Sequence, residues 1–306
     1  MGLFFYVNSK SQFTTKLNLT LKLSCFKKEA KIPASMILGL EITKSGRSGN
    51  CLIGLMRAFQ YCRVFHLRYI IVPPNFLFIN ESFTIQGIKI IPKIYEIDYS
   101  SYIFKFPFFY SLHSCPVNAN FEDFGLFKNF LNSRYSNLNL NKDDLYIHIR
   151  SGDVFIKHPN PSLGQPPLNY YLDIINSRKW NKVHVIAEND NNPCIKELAK
   201  RGYLFSKGSL HNDMSVLVNA VNLVVGPGSF GQAIVLLSKK LKTYYAYGYY
   251  MNFTHSSWDT VHLCRPDDLY SKKLLGKWQN TEEQRQMMII SNCSRWDVMP
   301  RTINKK

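Results

Sequence analysis

"NLVVGPGSFGQAIVLLSKKL", Asn222 to Leu241, changes character twice along its length. Leu223 to Val225 is a short apolar run with the branched side chains of a buried strand. A glycine-proline-glycine turn interrupts it, and the apolar residues that follow are spaced as in a helix. Strand, turn and helix in that order form the unit of a parallel α/β sheet, whose ligands collect at the carboxyl ends of its strands. Gly226, Gly228 and Gly231 let the backbone approach a ligand closely, and Ser229 adds a hydroxyl. The helix behind them offers unpaired N–H groups and the positive end of its dipole. Such a turn suits a phosphate, but it also suits a tight connection between packed elements, and alone it leaves both readings open.

The same unit occurs twice more. Met36 to Ile42 is short and apolar, "TKSGRSGN" is a turn-rich loop, and "CLIGLMRAFQYCRVFHL" from Cys51 carries apolar residues at three- and four-residue spacing. In that loop Arg47 adds charge and Asn50 a two-pronged amide, although a plain loop with a helix cap reads the same way. "KVHVIAEND" (Lys182 to Asp190) alternates like a strand, then "NPCIKELAKRG" has a proline near a helix start and a glycine stop. The polar stretch Asn132 to Asp144 lacks any apolar period and separates an aromatic-rich region from the strand "LYIHI". The expected fold is therefore α/β with two Rossmann-like domains, residues 1–140 and 141–270, whose parallel sheets face a central cleft. Residues 271–306 are expected to form one amphipathic helix and a basic tail that pack back across the first domain. "IFKFPFFYSL" (Ile103 to Leu112) reads either as a buried aromatic segment or as a patch facing lipid or a partner.

"DLYIHIRSGDVF" (Asp144 to Phe155) places polar groups where a strand meets a loop. His148 and Arg150 are two apart and share a face of the strand. An arginine at a strand's carboxyl end can grip phosphate oxygens with two parallel hydrogen bonds and stays charged when desolvated. The competing reading is an Arg150 to Asp153 salt bridge that only closes the loop.

The chain has 306 residues, 45% of them hydrophobic, enough for two domains of ordinary size. No run of about 18 apolar residues occurs without a charge, and no signal peptide is evident in the first 35 residues. A cytoplasmic enzyme, peripheral at the inner membrane face, is expected, with a truncated Golgi-type chain as the alternative. Seven scattered cysteines lack the spacing of a zinc site and read as reduced thiols. Four sequons, at Asn18, Asn80, Asn252 and Asn292, have meaning only in a secreted chain. The net charge of +17 sits mostly at the ends, +6 in residues 1–50 and +5 in residues 271–306. Basic ends fit contact with an anionic membrane or serve as solubilising surface. They show no interleaved aromatics or nucleic-acid-binding signature, so nucleic acid is not expected as a partner of an enzyme; the alternative function is a non-catalytic basic module that binds nucleic acid or anionic lipid through these ends.

"GRSGN" before a long helix, "YIIVPPN", "HIRSGD", "AEND" after a strand and "VVGPGSFG" together resemble, in content and order, the GDP-fucose-dependent fucosyltransferase superfamily. This superfamily includes the alpha-1,2, alpha-1,6 and peptide O-fucosyltransferases. The resemblance spans about residues 36–250 and lies in motifs rather than continuous identity. It implies a fold of the GT-B type and an inverting transfer that requires no metal, with GDP-fucose as donor substrate and a glycan or glycoconjugate hydroxyl as acceptor. On this chain it makes Arg150 the grip on the donor's β-phosphate, with His148 and Asp153 shaping that loop. Ser229 and Phe230, beside Gly228, would hold the diphosphate and nucleotide. Asn189 and Asp190 take the place of the acidic turn that reads guanine, of which "AEND" is a loose copy. Arg47, Gly49 and Asn50 would face the sugar phosphate. The loop from His158 through Gln165 would border the cleft, while Pro166 and Pro167 read as a rigid helix start.

The leaving diphosphate must be stabilised as the sugar departs. A D-x-D pair for magnesium does not occur, and the Asp-Asp pairs at 143–144 and 267–268 lie in polar turns. Arg150, Arg47 and the helix start at Ser229 are the expected substitutes. Asp153 is the first candidate for deprotonating the acceptor, ahead of Glu188, Asp213 and His148, with a purely structural Asp153 as the other reading.

Overall fold

The computed structural model describes residues 38–42, 48–93 except 65, 75, 77, 78 and 80, 103–106, 128, 129, 131, 134–248 except 239, and 260–299. The chain divides into two units, Met1–Asn129 and Phe130–Lys306. The α/β expectation is met in both, each being built on a largely parallel sheet.

In the first unit, β1 (Gly39–Ile42) leads through helix α1 (Ser48–Val64) to β2 (Tyr69–Val72), followed by β3 (Phe83–Ile85), β4 (Ile88–Pro92) and β5 (Ile103–Phe106). The strand order is β3-β4-β2-β1-β5, with only β3 antiparallel. Cys51, Leu52, Leu55, Ala58, Phe59 and Cys62 are buried at the three- and four-residue spacing of one helix face, and α1 packs on β1 and β2. The helix begins at Ser48, earlier than the apolar period suggests, so Gly49 and Asn50 lie in its first turn rather than in a loop. Residues 107–112 of the aromatic stretch lie outside the described residues.

The second unit holds seven strands: β6 (Leu145–His148), β7 (Val183–Ile186), β8 (Leu204–Ser206), β9 (Asn222–Val225), β10 (Thr243–Tyr247), β11 (Thr260–Pro266) and β12 (Cys293–Met299). Their order is β12-β11-β10-β9-β6-β7-β8, all parallel except β12. Helices α2 (Leu168–Asn176), α3 (Pro193–Lys200), α4 (Leu210–Val218) and α5 (Ser229–Leu237) connect the first five. From β6 the chain winds outward through β7 to β8, returns to β9 beside β6, and winds the other way. The carboxyl ends of β6 and β9 therefore lie side by side at the reversal, the place where doubly wound sheets open a crevice for a ligand. Both strands are almost continuously apolar because helices cover both faces. A Cβ on Gly231 would stand 2.9 Å from that of Val225, so glycine there lets α5 press close on β9.

Beyond residue 267 the structure departs from the single helix expected. Helices α6 (Asp268–Leu274) and α7 (Glu282–Ile290) precede β12, an antiparallel edge strand on β11. This segment packs within the second unit, α7 against α2 and α3. The amphipathic helix expected there is α7, which buries Met287 and Met288 and leaves Glu282 and Glu283 exposed, and aromatic residues hold the rest of the segment. Trp296 stacks 5.6 Å from Tyr170, and the fully buried Trp278 donates its indole N–H to the Val154 carbonyl at 2.6 Å. No helix among the described residues is long and apolar enough to cross a membrane.

Candidate active site

Strand β6 ends at His148, and Ile149 makes one more ladder bond, from its N–H to the Ile186 carbonyl. Arg150 then leaves the sheet at the β6–β9 reversal. Its Nε and Nη2 donate to Asp153 Oδ1 at 3.4 and 3.3 Å, and Nη2 also to Oδ2 at 3.1 Å. The ion pair posed by the sequence is therefore formed. The guanidinium also reaches the glycine turn after β9, because a Cβ on Gly228 would stand 2.5 Å from Nη1. With φ of +127°, Gly228 holds a backbone conformation that L side chains rarely adopt, and its bare Cα is the floor beneath the arginine.

Just past Gly228, α5 begins with no side chain capping its first N–H groups. Ser229 and Phe230 in that first turn are half-buried. A cation and a helix N-terminus thus meet at the end of the two central strands, an arrangement suited to an anion. The Phe230 ring lies 4.8 Å from that of His148. Desolvation, followed by the nearby Arg150 charge, pushes the His148 pKa down to about 4, so the imidazole is neutral at pH 7.

A brace of asparagines holds the Arg150 loop. Asn189 Oδ1 accepts from the Ser151 hydroxyl at 2.5 Å, from Gly152 N–H at 3.2 Å and from Asn191 N–H at 3.1 Å. Asn192 donates from its side-chain amide to the Arg150 carbonyl at 3.0 Å, and its Oδ1 caps α3 by accepting from Cys194 N–H. The side-chain oxygen of Asn189 is thus committed to joining the loops after β6 and β7, whereas Asp190 is exposed. Nothing in the spacing of "AEND" reveals this brace. The Glu188 carboxylate lies directly over Gly152, whose φ is +57°, so a Cβ there would displace that side chain and strain the backbone.

No family model matches the chain, and no curated protein matches it. Among solved structures it is similar to E. coli heptosyltransferase WaaC with ADP, at 11% sequence identity over 79% of this chain and 93% of that one, with a TM-score of 0.38.

The remaining candidates lie elsewhere. Asp213, in the first turn of α4, packs against Gly208; burial raises its pKa while the Gly208 N–H opposes the shift. Gln165 is fully buried behind the glycine turn: its amide donates to the Leu163 carbonyl at 2.8 Å, and its Oε1 lies 3.5 Å from a Cβ placed on Gly226. It therefore supports the turn from behind, while His158 is exposed. Gly49 and Asn50 belong to α1 in the first unit, and Arg47 lies outside the described residues. Among the described residues no three His, Cys, Asp or Glu side chains are grouped to hold a metal ion. A hollow of about 310 Å³ lined by Trp180, Lys182 and Tyr203 sits at the amino ends of β7 and β8, the opposite end of the sheet from Arg150.

Proposed function

We propose that the chain is a glycosyltransferase that transfers a sugar from a nucleotide diphosphate donor, with the diphosphate at the β6–β9 reversal. One observation carries the reading: the Arg150 guanidinium lies against Gly228 beside the uncapped start of α5. Breaking the bond between the sugar C1 and the β-phosphate oxygen leaves negative charge on the diphosphate and positive charge on the sugar. A fixed guanidinium and backbone N–H groups stabilise that leaving group without reorganising, and removing one such donor typically costs about 100- to 1,000-fold in turnover.

The motif order supports the finer reading: a GT-B type enzyme, independent of added metal, that moves fucose from GDP-fucose to a glycan hydroxyl with inversion. A screen of nucleotide sugars with mass detection of the products tests it, run with magnesium and with a chelator, on wild type and Arg150→Ala. Release or transfer of fucose from GDP-fucose is expected, unaffected by chelation and lost in the folded variant. A different preferred donor would replace the fucose reading and keep the glycosyltransferase. An indifferent Arg150→Ala would remove the reading altogether.

A further inference from the structure

The guanidinium of Arg150 has two usable edges, and the structure shows them facing different ways. The edge formed by Nε and Nη2 is taken by Asp153, and both carboxylate oxygens take part. Nη1 stands over Gly228, on the side where α5 begins. Five N–H donors in a rigid fork can serve both edges at once. We infer that Asp153 is a positioning residue, which holds the inner edge of Arg150 so that the outer edge, Nη1 and Nη2, meets a nucleoside diphosphate at the start of α5. The inference rests on the donor-diphosphate reading above and assigns Asp153 a different task from deprotonating the acceptor.

Three features favour this task. The contacts, at 3.1 to 3.4 Å, are longer than those of a closed charge-assisted pair, about 2.7 to 2.9 Å, so Asp153 steers the arginine without fully satisfying it. Asp153 sits in the 3₁₀ turn Gly152–Phe155, which is fixed from behind by Trp278 on the Val154 carbonyl and by the edge of that indole against Phe155 at 5.5 Å. A rigid mount suits a group whose work is orientation. A base, by contrast, must present an oxygen to the acceptor hydroxyl, and here both oxygens face the guanidinium.

Removing the carboxylate also removes a negative charge beside an anion site, which by itself would tighten diphosphate binding. The comparison that separates the two effects is Asp153→Asn against Asp153→Ala. Both are neutral, but only the asparagine keeps an oxygen for Arg150. GDP, UDP and ADP are titrated calorimetrically into wild type, both variants and Arg150→Ala, with thermal unfolding to verify folding. Asp153→Leu, close to aspartate in size and without a side-chain oxygen, replaces the alanine should that variant fail to fold. Asp153→Asn is expected to bind the preferred diphosphate about 3- to 10-fold more tightly than Asp153→Ala, the range set by the cost of re-ordering one flexible side chain. Arg150→Ala should bind it weakest of all. Equal affinity in the two neutral variants overturns the inference, and if transfer is also lost equally from both, Asp153 is the base instead. Absence of diphosphate binding by wild type overturns the donor reading itself, a result distinguishable from either.

Discussion

Gly228→Ala tests whether the two halves of the site are joined as described. A methyl group there would stand 2.5 Å from Arg150 Nη1, and ordinary contact begins at 3.4 Å, so the guanidinium must retreat by about 0.9 Å, on the scale of misplacements that cost roughly 100-fold in rate. The obstacle is the far end of a flexible side chain, so the steric cost to the fold is small. The backbone cost is larger, because an alanine at φ +127° stores about 1 to 3 kcal/mol. In a unit of this size that lowers the melting temperature by roughly 2 to 4 °C per kcal/mol. The variant should therefore fold, melt several degrees lower, and lose about 10- to 100-fold in nucleoside diphosphate affinity or turnover. The assay is a double-mutant cycle with Arg150→Ala, reading melting temperature and affinity together. Stability losses should add, since they arise separately. The affinity loss should vanish once Arg150 is absent, because the methyl then displaces nothing. If Gly228→Ala weakens binding equally in both backgrounds, or leaves it unchanged in wild type, Arg150 and the glycine turn do not form one site.

Two further expectations concern the support around the loop. Trp278→Phe keeps most of the buried ring but leaves the Val154 carbonyl without its donor, which should cost about 1 to 3 kcal/mol, read from the midpoint of urea unfolding. The folded-state pKa of His148, about 4, lies below its ordinary value near 6.5, so the unfolded chain takes up the proton first as pH falls. Stability should therefore decline from pH 6.5 toward pH 4 and then stop declining on this account. His148→Gln should flatten that part of the stability curve, and an unchanged slope would show that the imidazole is not held neutral by its surroundings.

Much of the site could be read from local pattern. The strand-turn-helix around Gly226 to Gly231 and the arginine at the end of β6 are each contained in about a dozen residues, within reach of hydrophobic period and turn chemistry. What brings them together is strand order, set by pairings such as Leu145 with Asn222, which no local period records. The Arg150 loop posed a choice between an ion pair and an anion grip; the fold shows the pair and also points the other corner of the fork at Gly228. In sequence Asn189 belongs to a turn that the resemblance assigns to the base and Asn192 to a loop before a proline; only the adjacency of β6 and β7 makes them a brace. The segment beyond residue 267 was the least legible. Its β12 pairs with β11 across an intervening pair of helices, and Trp278 lies 124 residues from the carbonyl it serves. The first turn of α1 was missed because Ser48, Gly49 and Asn50 are polar or small and lie outside the apolar period.

That long reach from Trp278 to Val154 has a consequence for the order of assembly. On the ribosome the chain emerges from its amino end, and domains generally fold as units once their parts are available. Strands β6 to β9 can pair as soon as residue 225 is free, yet the turn bearing Asp153 gains its anchor only when residue 278 has followed. A nascent chain paused between those points would carry strands β6 to β9 paired but with an unanchored mouth. Competence to grip an anion is then among the last properties the polypeptide acquires during its synthesis.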